Sequence, residues 1–325
     1  MIDFRYHLVS IVSIFLALAV GIVLGAGPLQ SGIGSTLNDQ VVALRAEKDA
    51  LRSDLDASEK LVAAGSEYAT AVTPLVVQGR LAGRSVALVV LPSAERDIVE
   101  AMRKTVEAGG ATVTDVLTLN EDWFDPTLLD DRSRAAQGAA TALGLASDAT
   151  GDALLREVLV RLAVSREPGE ASASRTAALK VLIDADLVDA TASEIVPADV
   201  AVIVSGDFAG SDSVVAERAG AVRALATALD GGSDATVVAG GAPVQSAGQP
   251  VSSDGVAAIR EDRGTSGEIS TIDHAREGMG PAVVVLAIAA QLADEVGHYG
   301  ISSGATAVVP PILPIAQVQT PAVAP

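Results

Sequence analysis

The chain contains no cysteine, which excludes disulfides, thiolate metal ligands and a cysteine nucleophile. Aromatic residues are 2% of the sequence, so a core has to be built from Ala, Val, Leu and Ile. That composition suits helices packed on a buried sheet. Cations are also scarce: 22 Lys and Arg stand against 41 Asp and Glu, for a net charge of −19. Neutralising a phosphate backbone needs clustered Lys and Arg, so nucleic acid is excluded as a partner, and the acidic surplus keeps the protein soluble. The sequence has no GxGxxG, Walker-type GxxxxGK[ST], GxSxG or HExxH pattern. It therefore offers no catalytic residue and no cofactor cradle, and the expectation is a protein that is not an enzyme.

What is present begins with an apolar run. Residues 8–27 carry no charge, and their only polar side chains are Ser10 and Ser13. About twenty residues at the helical rise span a bilayer, so a transmembrane helix is expected over 8–29. A cleaved signal peptide is the rival reading, but its apolar stretch is normally shorter and its start more basic. Arg5 precedes the run and the next cation is Arg45. The positive-inside rule then puts residues 1–7 in the cytoplasm and everything after the helix outside, with the lipid bilayer of the cytoplasmic membrane as first partner. Gly21 and Gly25 form a GxxxG, which lets two such helices approach closely.

Gly25, Gly27, Pro28, Gly32 and Gly34 are expected to break the helix, and Ser35 to cap a new one. Over 35–73 a coiled-coil stalk is expected. Leu37, Leu44, Leu51 and Ser58 occupy d positions, and Val41, Lys48, Leu55 and Val62 occupy a positions. Lys48 lowers stability but favours a small oligomer in one register. A parallel homodimer through Gly21, Gly25 and this seam is expected; packing of an amphipathic helix on the chain's own domain is the alternative.

From residue 80 to 304 apolar β-rich runs alternate with helical patterns. Strands are expected at 85–91, 111–117, 200–204, 235–239 and 268–272. Helices are expected after a Ser93 cap, over 128–164 with a break near Gly151, and over 177–190, 213–229, 256–262 and 281–296. The fold class is α/β: a Rossmann-like or flavodoxin-like doubly wound, mostly parallel sheet. Residues 305–325 hold five prolines and are expected to be an extended or disordered tail.

The metal-ligating candidates are few. His274, His298 and Met279, with Asp273, are the weak candidates, and Met102 is the remaining soft side chain outside the membrane segment. A helix of about sixteen residues separates the two histidines, putting its ends roughly 24 Å apart. The expectation is therefore that His274 is a turn residue and His298 a helix-end group.

Three segments carry a family resemblance: MIDFRYHLVS at residues 1–10, VGIVLGAGPL at 20–29 and GHYG at 297–300, with STID at 270–273. They resemble the actinobacterial MctB family, named for mycobacterial copper transport protein B, which includes the corynebacterial division protein SteB. The resemblance implies copper homeostasis and, by the family label, an outer-membrane location. For a SteB-like member it implies a cell-envelope scaffold that acts with a cytoplasmic SteA-type partner on an extracytoplasmic peptidoglycan-hydrolase system. Copper(I) favours thiolate and thioether ligands, and this chain has no Met-rich cluster to match its lack of Cys.

Overall fold

The computed structural model describes residues 4–26, 28–164, 171–192, 194–241, 253–276 and 278–315. It divides into two units, Met1–Ala64 and Gly65–Pro325.

The first unit is helical. Helix α1 spans Phe4–Ala26, and α2 begins at Pro28 and runs for 50 residues to Val77. The expected break is therefore confined to Gly27, which lies outside the described residues. Pro28 suits the first turn of a helix, where its missing N–H costs nothing, and α2 passes through Gly32, Gly34 and Ser35 without a new start. It also continues past Gly65 and through Pro74, which forgoes one helical hydrogen bond. Around that proline Thr70 and Thr73 donate to the carbonyls of Ser66 and Ala69 at 2.9 and 2.8 Å.

The second unit is an α/β domain. Its elements after α2 are β1 (Ser85–Val90), α3 (Arg96–Ala108), β2 (Thr112–Leu119), α4 (Leu129–Leu143), α5 (Gly151–Ala163), α6 (Ser172–Asp184) and β3 (Val188–Ala190). They continue with β4 (Val200–Ser205), β5 (Asp207–Phe208), α7 (Asp212–Gly232), β6 (Ala235–Gly240), β7 (Ser253–Asp254), α8 (Gly255–Arg260), β8 (Ser270–Ile272), α9 (Gly280–Gln291) and β9 (His298–Tyr299). Seven strands form one mixed sheet in the order β3-β2-β1-β4-β6-β8-β9, and β5 and β7 pair separately. Every neighbouring pair in the large sheet is parallel except β2–β3.

Burial on both faces explains the continuous apolar runs in β1, β4 and β6. Val86, Leu88 and Val90 pack with α3 and α9, while Ala87 and Val89 pack with the layer of α4 to α8. Helix α9 is apolar all round and buried along its whole length, as a central helix should be.

The strand and helix positions expected from the sequence differ in several places. Ser93 is not the cap of α3; it adopts φ +68°, and Glu95 is the cap position. The 128–164 helix breaks as expected, with α5 starting at Gly151, but α4 already ends at Leu143, where Gly144 turns left-handed at φ +70°. The 177–190 helix ends at Asp184, because Asp186 turns left-handed and Leu187 N closes on Leu182 O at 3.0 Å; β3 follows. Beyond residue 305 the chain lies along the domain, with Ala307 bridged to Tyr299 and the Leu313 carbonyl accepting from Arg80 at 2.7 Å. Residues 316–325 of the expected tail lie outside the described residues.

Candidate functional site

Ligands on open α/β sheets sit beyond the carboxyl ends of the strands, where the strand order reverses. Here that reversal lies between β1 and β4, and the chain itself closes it. A Cβ on Gly206 would come within 2.1 Å of the Ser93 carbonyl oxygen, so the two strand-end loops touch backbone to backbone. Leu91 N donates to Val204 O at 2.8 Å. Ser205 Oγ accepts from Gly255 N at 2.8 Å and donates to Gly206 O at 3.0 Å. Leu91 N, Gly255 N and Ser205 Oγ are thus engaged with the protein.

Farther along the sheet, beyond β8, is a buried charge network centred on Arg260, at the end of α8. Its Nη1 donates to Asp273 Oδ2 at 2.7 Å, its Nε to Thr271 Oγ1 at 2.8 Å and its Nη2 to Tyr299 O at 2.9 Å. Asp273 also accepts from the amides of Ile301 and Ser302, both at 2.9 Å. Burial works to raise the Asp273 pKa. His274, the two amides and Arg260 outweigh it and hold the carboxyl well below the usual carboxylate range. Gly300 makes the arrangement possible: its φ is +142°, and a Cβ there would meet Asp273 Oδ1 at 1.9 Å.

The histidines fall close to this network. His298 opens β9, and Thr271 in β8 is its register partner. His274, two residues beyond the end of β8, is therefore only three positions from the register partner of His298; the helix between them carries the chain back alongside β8. His298 is thus a strand residue and not a helix-end group. Because Thr271 Oγ1 accepts from Arg260, its proton points to His298 Nδ1, 2.9 Å away. Burial and the Arg260 charge lower the His298 pKa, so the neutral ring is favoured. Thr271 is fully buried and His298 half-buried. His274 is buried after β8, and neither ring nitrogen has a hydrogen-bond partner. Its Nδ1 is 3.6 Å from Asp273 Oδ1, beyond hydrogen-bond reach.

Met279 is at the cap of α9 and partly exposed, whereas Met102 is fully buried in α3. Among the described residues no group of three or more His, Asp or Glu side chains could hold a metal ion. The sequence has no Cys to offer copper(I), so the described residues do not fit a resident copper centre.

Two further features were not foreseen. Asp254 is buried, caps α8 through Ala257 N at 2.8 Å, and has its pKa pushed up to about 6 by burial, reinforced by nearby Asp207. Asp115, on the bulged strand β2, gathers Val116 N, Thr191 N and Oγ1, and Ala192 N on one oxygen, which pins the chain leaving β3. No motif marks either residue; only a carboxylate inside an apolar run hints at Asp115. At the strand ends a cleft of about 780 Å³ lies beside β1 and β2, lined by Ser93, Arg96, Val99, Asn120 and Thr191.

In the helical unit, an added Cβ at Gly21 or Gly25 meets nothing within 4 Å. Leu37, Val41, Leu44, Leu51, Leu55 and Val62 are exposed along α2, and Lys48 is exposed with them. Phe4–Gly25 is long and apolar enough to cross a membrane, and none of it is buried.

Fold and site define a class: an α/β domain that follows an apolar helix able to serve as a membrane anchor, with a buried arginine–aspartate network beyond one strand end. The chain belongs to the MctB family, whose description is "Copper transport outer membrane protein, MctB" and whose model matches residues 1–310. It is 28% identical over 318 residues to the "Copper transporter MctB" of Mycobacterium tuberculosis (strain ATCC 25618 / H37Rv), covering 95% of this chain and 99% of that one. The protein of the same name from Mycobacterium leprae (strain TN) is 28% identical over 327 residues, covering 96% and 100%.

Proposed function

We propose that this chain is a single-pass protein of the cytoplasmic membrane that serves copper homeostasis as a non-enzymatic, dimeric binding or scaffold module. Its N-terminus is cytoplasmic and its domain extracytoplasmic. The observation that carries this reading is the pairing of one unburied apolar helix with a domain whose described residues gather no cluster of His, Asp and Glu able to hold a metal ion. A pore needs many spanning segments or a closed barrel. Among the described residues there is one spanning-length helix and an open sheet with β3 and β9 at its ends. The parallel strands β2-β1-β4-β6-β8 follow the flavodoxin-like 2-1-3-4-5 order, which supports reading the domain as doubly wound.

A second reading is favoured by the exposed heptad face of α2. In it the protein is a SteB-like envelope scaffold that works with a cytoplasmic SteA-type partner and influences peptidoglycan hydrolysis without moving copper. One experiment separates direct metal handling from scaffolding. His274, His298, Met102 and Met279 are replaced together by Ala, and in a separate strain Leu44 and Leu51 by Asp. Scaffolding predicts unchanged copper tolerance in the first strain and an envelope or division defect in the second. Loss of copper tolerance in the first, at normal membrane level and with normal folding, would reverse the ranking.

A further inference from the structure

Beyond Ser58 the apolar seam of α2 has two continuations in sequence. Strict heptad spacing leads to Val62, Gly65, Ala69, Val72 and Val76. A three-residue step at Ser58 leads instead to Leu61, Gly65, Tyr68, Val72 and Leu75. The structure tells them apart. Ala69 and Val76 are half-buried, and Val77 is fully buried in the cluster that includes α3 and α9. On the same side of the helix Gly278 abuts Ser66, where an added Cβ would lie 2.4 Å from Ser66 Oγ. From Ala69 onward the strict heptad face of α2 is thus occupied by the chain's own domain, while Val62 and Gly65 are exposed. Leu61, Tyr68 and Leu75 are 76%, 71% and 76% exposed, three large apolar side chains at seven-residue spacing with nothing over them.

We infer that a second copy of this chain covers Leu61, Tyr68 and Leu75, and that the helix pair changes register at Ser58 by a three-residue stammer. The inference rests on the parallel dimer proposed above and adds where its interface goes once the strict seam is taken. Seven-residue spacing is what selects a second copy. In a parallel, in-register pair each of these residues meets its own counterpart, so one stripe is self-complementary. The stammer overwinds the pair locally and turns the partner helix away from the face held by the domain.

The absence of cysteine makes the test clean. Single-cysteine variants of the full chain are reconstituted in phosphatidylcholine vesicles and oxidised with diamide, with maleimide labelling as a check that each thiol is reachable. Leu44→Cys, Tyr68→Cys and Leu75→Cys are expected to form disulfide-linked dimers. Ala69→Cys and the outer-position control Asp56→Cys are expected to link at least tenfold more slowly. Linking at Leu44→Cys without linking at Tyr68→Cys and Leu75→Cys overturns the stammer and leaves the dimer standing. Failure at Leu44→Cys overturns the dimer itself. Equal linking at Asp56→Cys would mean random collision and overturns the inference as well.

Discussion

Asp254 holds its carboxylate in a buried position while capping α8, and its raised pKa fixes the sign of a pH effect. The folded state binds this proton more tightly than the unfolded chain does. The contribution is fully present below about pH 4 and is lost as pH rises through about 6. Asn keeps the cap and removes the buried charge. Asp254→Asn should therefore be more stable than the parent at pH 7.5, by up to about 3 kcal/mol, and the difference should vanish near pH 4. Urea unfolding followed by the emission of Trp123, which is buried and the chain's single Trp, measures it. Gly300→Ala should cost about 3 kcal/mol or more in the same assay, because the new Cβ collides with Asp273 and the backbone is left-handed. At Gly267 nothing lies within 4 Å of an added Cβ, so Gly267→Ala should be near neutral. At this scale the sequence was hardly legible. Asp273 and His274 could be placed at a strand end, but the partner that organises them, Arg260, sits in a short helix with no motif around it.

Elements were more legible where they are long or buried on every side. The cores of β1, β2, β4, β6 and β8 follow from apolar runs, and α1 from an uncharged one. The two-residue strands β5, β7 and β9 leave no periodicity to read, and β3 is hidden inside an apparent helical pattern that a left-handed Asp186 ends. Glycine and proline after α1 suggested a long break, yet helix resumes at once, since a proline at a helix start is no obstacle. For α1 the expected outcome is an uncleaved anchor. A reporter fused to the C-terminus should be active only when assayed outside the cytoplasm, and a mature chain beginning after residue 19 would exclude the anchor. For α2, Leu44→Asp with Leu51→Asp places charges in the proposed seam and should abolish dimers in light scattering of the detergent-solubilised full chain.

At the scale of the whole molecule, the chain combines a spanning-length helix, a 50-residue second helix and an α/β domain with a buried Arg260–Asp273 pair beyond β8. Its family is named for copper transport, but among the described residues no group of three or more His, Asp or Glu side chains could hold a metal ion. The account turns on whether the protein holds copper or holds partners. The most direct test is a copper(I) competition titration of the full chain in detergent, with elemental analysis of the recovered protein. The account predicts no site tighter than micromolar and substoichiometric copper after desalting. A stoichiometric site of nanomolar affinity, lost when His274, His298, Met102 and Met279 are replaced by Ala, would contradict it.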